Sequence, residues 1–151
     1  DAGYFIDELY NHAMDGEFMT RLLIAGYKFQ FVPGMPGICR LHNGAKTAKR
    51  PYLGIVENVD ICINVLKSTE ISPVVRRWAL QSLREALPLL FYSYRMSEFR
   101  AGLYNLVSLG GFHMLDAKYI IRYLVSFFGE SVAKSIYGLV DYYKKITRVP
   151  H

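Results

Sequence analysis

The chain has 151 residues, 52% hydrophobic and 21% charged, which suits one domain or a small domain with an appendage. This composition excludes a disordered tail, a collagen-like fibre and a disulfide-rich miniprotein. The net charge is +5, aromatic residues make up 15%, and the first residue is Asp1 in place of methionine. We therefore expect a folded body that is a fragment or a processed piece of a protein.

The cysteines and the hydrophobic runs bear on location. Cys39 and Cys62 are too few for a disulfide framework and lack the short spacing of a zinc pair, so we expect small buried hydrophobes of a reducing compartment. No apolar run approaches the ~20 residues of a membrane-spanning helix, and the acidic start differs from that of a signal peptide. We expect either a cytoplasmic location, free or peripheral to the membrane, or a targeting signal that lies outside this piece.

Positive charge is concentrated after residue 50. Residues 1–50 hold six Lys and Arg against five Asp and Glu, whereas residues 51–151 hold twelve against eight. This excess is too dilute for a nucleic-acid groove, so no nucleic-acid partner is expected. It suits the surface of a membrane that carries anionic lipid.

The first regular element is a helix over 14–25. Apolar residues recur there at helical spacing, Glu17 and Arg21 form an i,i+4 pair, and Gly26 stands where a helix ends. The next segment, 27–32, alternates apolar and polar residues up to Pro33-Gly34 and predicts a strand with a turn after it. A second short strand over 37–41 and a basic surface loop over 42–50 are expected to follow.

Helical periodicity continues after Pro51 and predicts five helices joined by short loops. Their apolar faces span 56–66, 75–90, 99–107, 118–128 and 132–143. Ser72, Ser97 and Asp116 stand at N-terminal cap positions. Pro88 is expected to kink the second of these helices, while Gly110-Gly111 and Gly129 end the third and fourth.

The fourth of these helices has the widest apolar surface. One stripe consists of Ile120, Ile121, Leu124, Val125 and Phe128, and the adjacent stripe of Tyr119, Tyr123 and Phe127. Two interpretations stay open. Among other helices such a stripe packs into a core by default; alternatively, its aromatic and basic residues form a surface for lipid or a partner.

Five short motifs occur in order within the first fifty residues. They are Gly3-Tyr4-Phe5-Ile6-Asp7-Glu8; Met14-Asp15-Gly16-Glu17-Phe18 with Arg21; Gly26-Tyr27-Lys28 with Val32-Pro33; Arg40-Leu41-His42; and Ala45-Lys46-Thr47. In this order they resemble the C-terminal half of the catalytic domain of family-2 glycosyltransferases, which have the GT-A fold. The resemblance implies a mainly α chain: residues 1–50 are the acceptor-side remnant of an α/β GT-A domain with a helix and two short strands, and 51–151 are a helical extension.

The resemblance also implies an activity and a set of site residues. The activity is transfer of a sugar from a nucleotide-sugar donor to a hydroxyl of a sugar or lipid-linked acceptor, as in cell-surface polysaccharide assembly, with inversion. Asp15 matches the general base, which removes the proton of the acceptor hydroxyl, and Glu17 matches a substrate-binding position. Arg40, His42 and Lys46 resemble the cluster that holds the leaving diphosphate or its divalent metal, Mn or Mg, with His42 as the candidate metal ligand.

The chain departs from the family pattern at two positions. Met14 stands where the family usually has Glu, and Gly16 where an aromatic residue is frequent. The Asp-x-Asp metal motif and the nucleotide-binding βαβ units would precede Asp1, so this piece alone is expected to be inactive.

Structural interpretations of the same residues stay open. Asp15 can be an ordinary acid at a helix N-terminus, Glu17 with Arg21 a solvated ion pair, His42 a structural residue and Lys46 part of a solvated loop. The competing functional class is a non-catalytic helical module for protein or membrane contact.

Overall fold

The computed structural model of the protein describes residues 6–30, 32–34, 50–69 and 71–137. Within them the protein is mainly helical. The helices are α1 (Met14–Ile24), α2 (Pro51–Lys67), α3 (Pro73–Tyr92), α4 (Met96–Gly110) and α5 (Ala117–Ser126), with a 3-10 turn at Phe112–Met114 and a further helical segment, α6, over 129–137. The predicted mainly α character is confirmed, as are the five helices after residue 50, the last of them as far as residue 137.

The chain divides into two compact units, Asp1–Ala86 and Leu87–His151, and the division falls within α3. The first unit includes α1, which packs against α2. The sequence predicts a different boundary, after residue 50, between the part that resembles the family and the helical extension. That boundary stays a prediction.

Helix α1 ends as its sequence predicts. Gly26 adopts a positive φ of 87°, a conformation that glycine tolerates without strain. The backbone N–H of Gly26 donates to Leu23 O at 3.1 Å, and that of Tyr27 donates to Leu22 O at 3.0 Å. This pair of hydrogen bonds is a Schellman motif, which satisfies the last carbonyls of the helix.

The predicted strand over 27–32 is not present in the residues of it that are described, 27–30 and 32. Its apolar side chains do not face a core, because Tyr27, Phe29 and Val32 are 51%, 50% and 71% exposed. Alternation alone does not make a strand, since the backbone groups also need a partner strand. The predicted partner, residues 37–41, lies outside the described residues, as do Cys39 and nearly all of the predicted loop over 42–50.

The core of the first unit is built by the apolar stripe of α2 and by one face of α3. Val59, Cys62 and Leu66 recur at helical spacing and are buried, and Ala79 and Leu83 are fully buried. Burial raises the pKa of the Cys62 thiol to about 11. Cys62 is therefore the small buried hydrophobe that was predicted.

The core of the second unit centres on aromatic residues. Phe91 and Phe99 are buried, and their ring centroids lie 5.3 Å apart in an edge-to-face arrangement. The ring of Tyr137 lies 5.1 Å from that of Phe91, so α6 packs on the same cluster. Such pairs add roughly 0.5–1.5 kcal/mol beyond the burial of their area.

Two of the three predicted helix caps are confirmed. Ser72 Oγ accepts the backbone N–H of Val75 at 3.3 Å, and Asp116 Oδ1 accepts those of Lys118 and Tyr119 at 2.9 and 3.2 Å. Gly111 and Gly129 adopt positive φ, as expected at the ends of α4 and α5. Helix α3 runs through Pro88.

The prediction that Ser97 caps α4 was wrong. Helix α4 begins at Met96 with Arg95 as the N-cap residue, and the hydroxyl of Ser97 donates to Glu98. The reason is a tight connection from α3: Tyr94 adopts a φ of 58°, and the Arg95 N–H donates to Leu90 O at 2.9 Å. This turn brings the chain back into helical conformation two residues earlier than expected.

None of the helices in the described residues has both the length and the apolar character needed to cross a bilayer.

Candidate functional site

The N-terminus of α1 is held by a carboxylate on α2. Glu57 Oε2 accepts the backbone N–H groups of His12 and Ala13, each at 2.7 Å, and Glu57 Oε1 lies 3.5 Å from His12 Nδ1. Burial raises the pKa of Glu57, but hydrogen bonds from the Ala13, His12 and Asn11 backbones bring it below the ordinary value. Glu57 therefore fixes the start of the helix that carries Asp15 and Glu17.

Asp15 lies in the first turn of α1 and is exposed. Its Oδ1 accepts the backbone N–H of Gly16 at 2.8 Å. Asp15 is thus accessible to a hydroxyl that approaches from solvent.

Glu17, two residues further on, is in a different environment. It is 8% exposed, and its Oε1 accepts the Arg21 Nε–H at 2.6 Å. Its Oε2 is buried and has no hydrogen-bond donor among the described residues. The ion pair of Glu17 and Arg21 is therefore not fully solvated, because the Glu17 carboxylate is buried.

Glu17 lines a cavity of about 270 Å³ between α1, α2 and the segment before α1. Thr20, Arg21, Tyr10, Asn64 and Val65 also line it. The amide nitrogen of Asn64 donates to the Tyr10 hydroxyl oxygen at 3.1 Å. Burial raises the pKa of Tyr10 more than the hydrogen bond from Asn64 lowers it, and nearby carboxylates raise it further, so this hydroxyl stays protonated at neutral pH.

The chemistry of this cavity suits a polyhydroxylated ligand. Glu17 offers an acceptor, Arg21 and Asn64 carry donor groups, and Tyr10 and Thr20 carry hydroxyls. Asp7 and Ser68 add further polar groups, and Ile24, Ile61 and Val65 form the apolar part of the lining. A sugar ring has both hydroxyl groups and apolar C–H faces, which this mixture can contact.

Of the predicted site residues, Asp15 and Glu17 lie on the same turn of α1, one exposed and the other facing the cavity. Arg40, His42 and Lys46 lie outside the described residues. His42 is the metal ligand that the resemblance implies, and the described part of the chain contains no group of three or more His, Cys, Asp or Glu side chains placed to hold a metal.

Sequence reasoning did not identify Glu57, Tyr10 or Asn64. Glu57 and Asn64 lie on the polar face of α2, where such residues are usually solvated. Their partners are 44 to 54 residues away in sequence, so no local pattern signals the contact.

A second candidate surface, in the second unit, consists of residues of α5 and of the two residues that follow it. Five apolar residues, which we call the α5 apolar face, are between 52% and 69% exposed: Ile120, Ile121, Leu124, Phe127 and Phe128. The side that packs against the unit contains Tyr119, Val125 and Ser126, all buried. The default expectation of core packing is therefore wrong for most of this stripe, in which only Val125 is buried.

Two arginines and a serine make polar contacts on the inward side of α5, which explains this orientation. Arg122 Nη2 donates to the Tyr92 hydroxyl at 3.0 Å, and Ser126 Oγ donates to Tyr123 O at 2.6 Å. Arg100 on α4 donates to Ser126 O at 2.7 Å and stacks 5.0 Å from the centre of the Phe127 ring. These contacts anchor the polar side of α5 and leave its apolar side facing solvent.

The α5 apolar face adjoins a groove of about 540 Å³ between α4, the 3-10 turn and α5. Most of the groove is apolar, with Leu103, Val107, Leu115 and Ile120 in its lining. Phe112, at its edge, is 80% exposed. An apolar surface of this kind indicates contact with lipid or with another protein.

The chain matches no protein-family model, no curated protein and no solved structure. The likeness to family-2 glycosyltransferases therefore rests on the sequence motifs themselves.

Proposed function

We propose that this chain is part of a family-2 glycosyltransferase, which transfers a sugar from a nucleotide-sugar donor to a hydroxyl of a sugar or lipid-linked acceptor with inversion. The observation that carries this proposal is the position of Asp15. The order of the motifs matches it to the general base, and its carboxylate is exposed at the N-terminus of α1, two residues before Glu17, which lines the polar cavity.

In the proposed reaction, Asp15 removes the proton of the acceptor hydroxyl while that oxygen attacks C1 of the donor sugar. The bond from C1 to the nucleoside diphosphate breaks on the opposite face. Arg40, His42 and Lys46 would bind the diphosphate as its negative charge develops. A divalent metal, Mn or Mg, held with the help of His42, would supply further positive charge there.

Glu17 would bind the acceptor. Its buried Oε2 needs a hydrogen-bond donor, because a buried carboxylate oxygen without one is costly. A hydroxyl of the acceptor sugar can supply that donor. The Glu57 carboxylate acts on the reaction only through α1, so Glu57 is a positioning residue.

A screen of nucleotide sugars tests this proposal. The complete gene product is incubated with each donor and with mixed sugar and lipid-linked acceptors, and release of the nucleoside diphosphate is measured. We expect release with one donor or a few related donors, dependent on the acceptor. No release with any donor would contradict the proposal.

The α5 apolar face supports a second candidate function, a non-catalytic helical module for protein or membrane contact. Five neighbouring exposed apolar side chains, three on α5 and two directly after it, are unusual for a surface without a partner. The same screen separates the two candidates, because a contact module releases no nucleoside diphosphate.

A further inference from the structure

We propose that the α5 apolar face inserts into the surface of a membrane that contains anionic lipid. This inference does not depend on the proposed transferase activity, because it rests only on residues of the second unit. It concerns the five residues Ile120, Ile121, Leu124, Phe127 and Phe128, with Phe112 beside them at the edge of the groove.

The geometry of α5 suits a helix that lies in the plane of the membrane surface. The helix has 10 residues, about 15 Å at 1.5 Å per residue, which is half the thickness of the hydrocarbon core. It is anchored to the unit along one side by Tyr119, Val125 and Ser126. The opposite side is entirely apolar and can enter the boundary between headgroups and acyl chains.

Charge favours an anionic lipid surface as the occupant. Residues 87–137 hold five Lys and Arg against three Asp and Glu, and each of the three acids is engaged within the unit. Glu98 pairs with Arg95, Glu130 with Lys134, and Asp116 caps α5. Lys118 is exposed in the first turn of α5, and Arg100 stacks on Phe127, so positive groups border the apolar face on two sides.

The side chains around the α5 apolar face are of the types that occur at membrane interfaces. Phe127 and Phe128 are aromatic and exposed, while Tyr123 and Tyr104 carry hydroxyls at the edge of the groove. Aromatic residues with a polar tip prefer the headgroup level of a bilayer. Long basic side chains can lay their apolar stems on the same surface and keep their charge in water.

Flotation of the complete chain with vesicles tests this proposal. One set of vesicles is phosphatidylcholine alone, and the other adds phosphatidylglycerol. The test variant is Ile121→Gln with Leu124→Gln, and the control is Met19→Gln with Leu23→Gln, two exposed apolar residues on α1. Circular dichroism of each variant verifies that the helices are retained.

We expect the unaltered chain and the control to float with the anionic vesicles at low salt. The test variant should bind at least about tenfold more weakly, because each inserted aliphatic side chain contributes to partitioning. Added salt should weaken the binding. Failure to float at low salt, equal flotation of the test variant, or equal binding to neutral vesicles would overturn the proposal. A dimer in solution that only the test variant disrupts would assign the face to a second copy of the chain instead.

Discussion

Glu57 Oε2 lies 2.7 Å from the backbone nitrogen of Ala13, the residue that immediately precedes α1. A side chain on α2 therefore caps α1 through a residue that lies 44 positions earlier in the chain. The contact joins two elements of the first unit and sets the position of the turn on which Asp15 and Glu17 lie.

The first prediction concerns the stability that this cap provides. Glu57→Ala removes the acceptor of two backbone N–H groups and should lower the free energy of unfolding by about 1–3 kcal/mol. Glu57→Gln keeps one carbonyl acceptor and should cost less. Urea denaturation followed by circular dichroism measures both. Glu85→Ala on α3, an exposed glutamate, is the control, and an equal loss in Glu57→Ala and Glu85→Ala would contradict the role of the cap.

The second prediction is a pH dependence that belongs to Glu57. Its pKa in the folded protein lies below the ordinary value, so the ionised carboxylate stabilises the fold at any pH above the unfolded pKa of about 4.3. This contribution is lost as the pH falls through the folded pKa. The urea midpoints of the unaltered protein and of Glu57→Gln should therefore differ at neutral pH and converge in acid. A constant difference at every pH would show that the charge of Glu57 contributes nothing.

The third prediction compares two glycines. Gly111 adopts φ 92° and ψ 163°, a combination almost confined to glycine, and an added Cβ would lie 3.0 Å from His113 Nδ1. Gly111→Ala should destabilise the protein by about 1–3 kcal/mol. Gly16 lies in α1 with open space around it, so Gly16→Ala should stabilise by about 0.5–1 kcal/mol. Thermal melting of the two variants should shift in opposite directions, and shifts of the same sign would refute the comparison.

The fourth prediction separates a binding role of Glu17 from a structural one. Glu17→Gln removes the charge of the Glu17–Arg21 pair but keeps a side-chain oxygen that can accept the Arg21 Nε–H, and it no longer buries a carboxylate oxygen that lacks a donor. Its free energy of unfolding should fall by no more than about 1.5 kcal/mol, the contribution of one ordinary hydrogen bond. In the transfer assay the KM for the acceptor should rise more than kcat falls. A large loss of stability with an unchanged KM would make Glu17 a structural residue only.

Local patterns predicted the helices well because their signals lie within a few residues. Asp116 as a cap and Gly26 as a helix end need only neighbours in sequence. The orientation of α5 could not be predicted, because its helical wheel shows an apolar stripe but not what faces it. Tyr92, which accepts from Arg122, is 30 residues away in sequence, and such contacts decide which side is buried.

The candidate site was predictable only in part for the same reason. Asp15 and Glu17 belong to a recognisable order of motifs, and both lie in the first turn of α1 as expected. Asp15 is exposed and Glu17 is buried because of the packing of α2, which supplies Asn64 and Val65 to the cavity. The alternation over 27–32 was misleading, because a strand also requires a partner that the segment itself does not encode.

The fifth prediction tests the proposed role of Asp15 most directly. In the complete gene product, Asp15→Asn keeps the size of the side chain but removes its ability to accept a proton, so sugar transfer should fall by about 10²–10⁴-fold. Donor binding, measured by calorimetry, should change little. Asp60→Asn makes the same substitution at an exposed position on α2 and should leave transfer unchanged. Transfer by Asp15→Asn at the rate of Asp60→Asn would remove Asp15 from the mechanism and contradict the account.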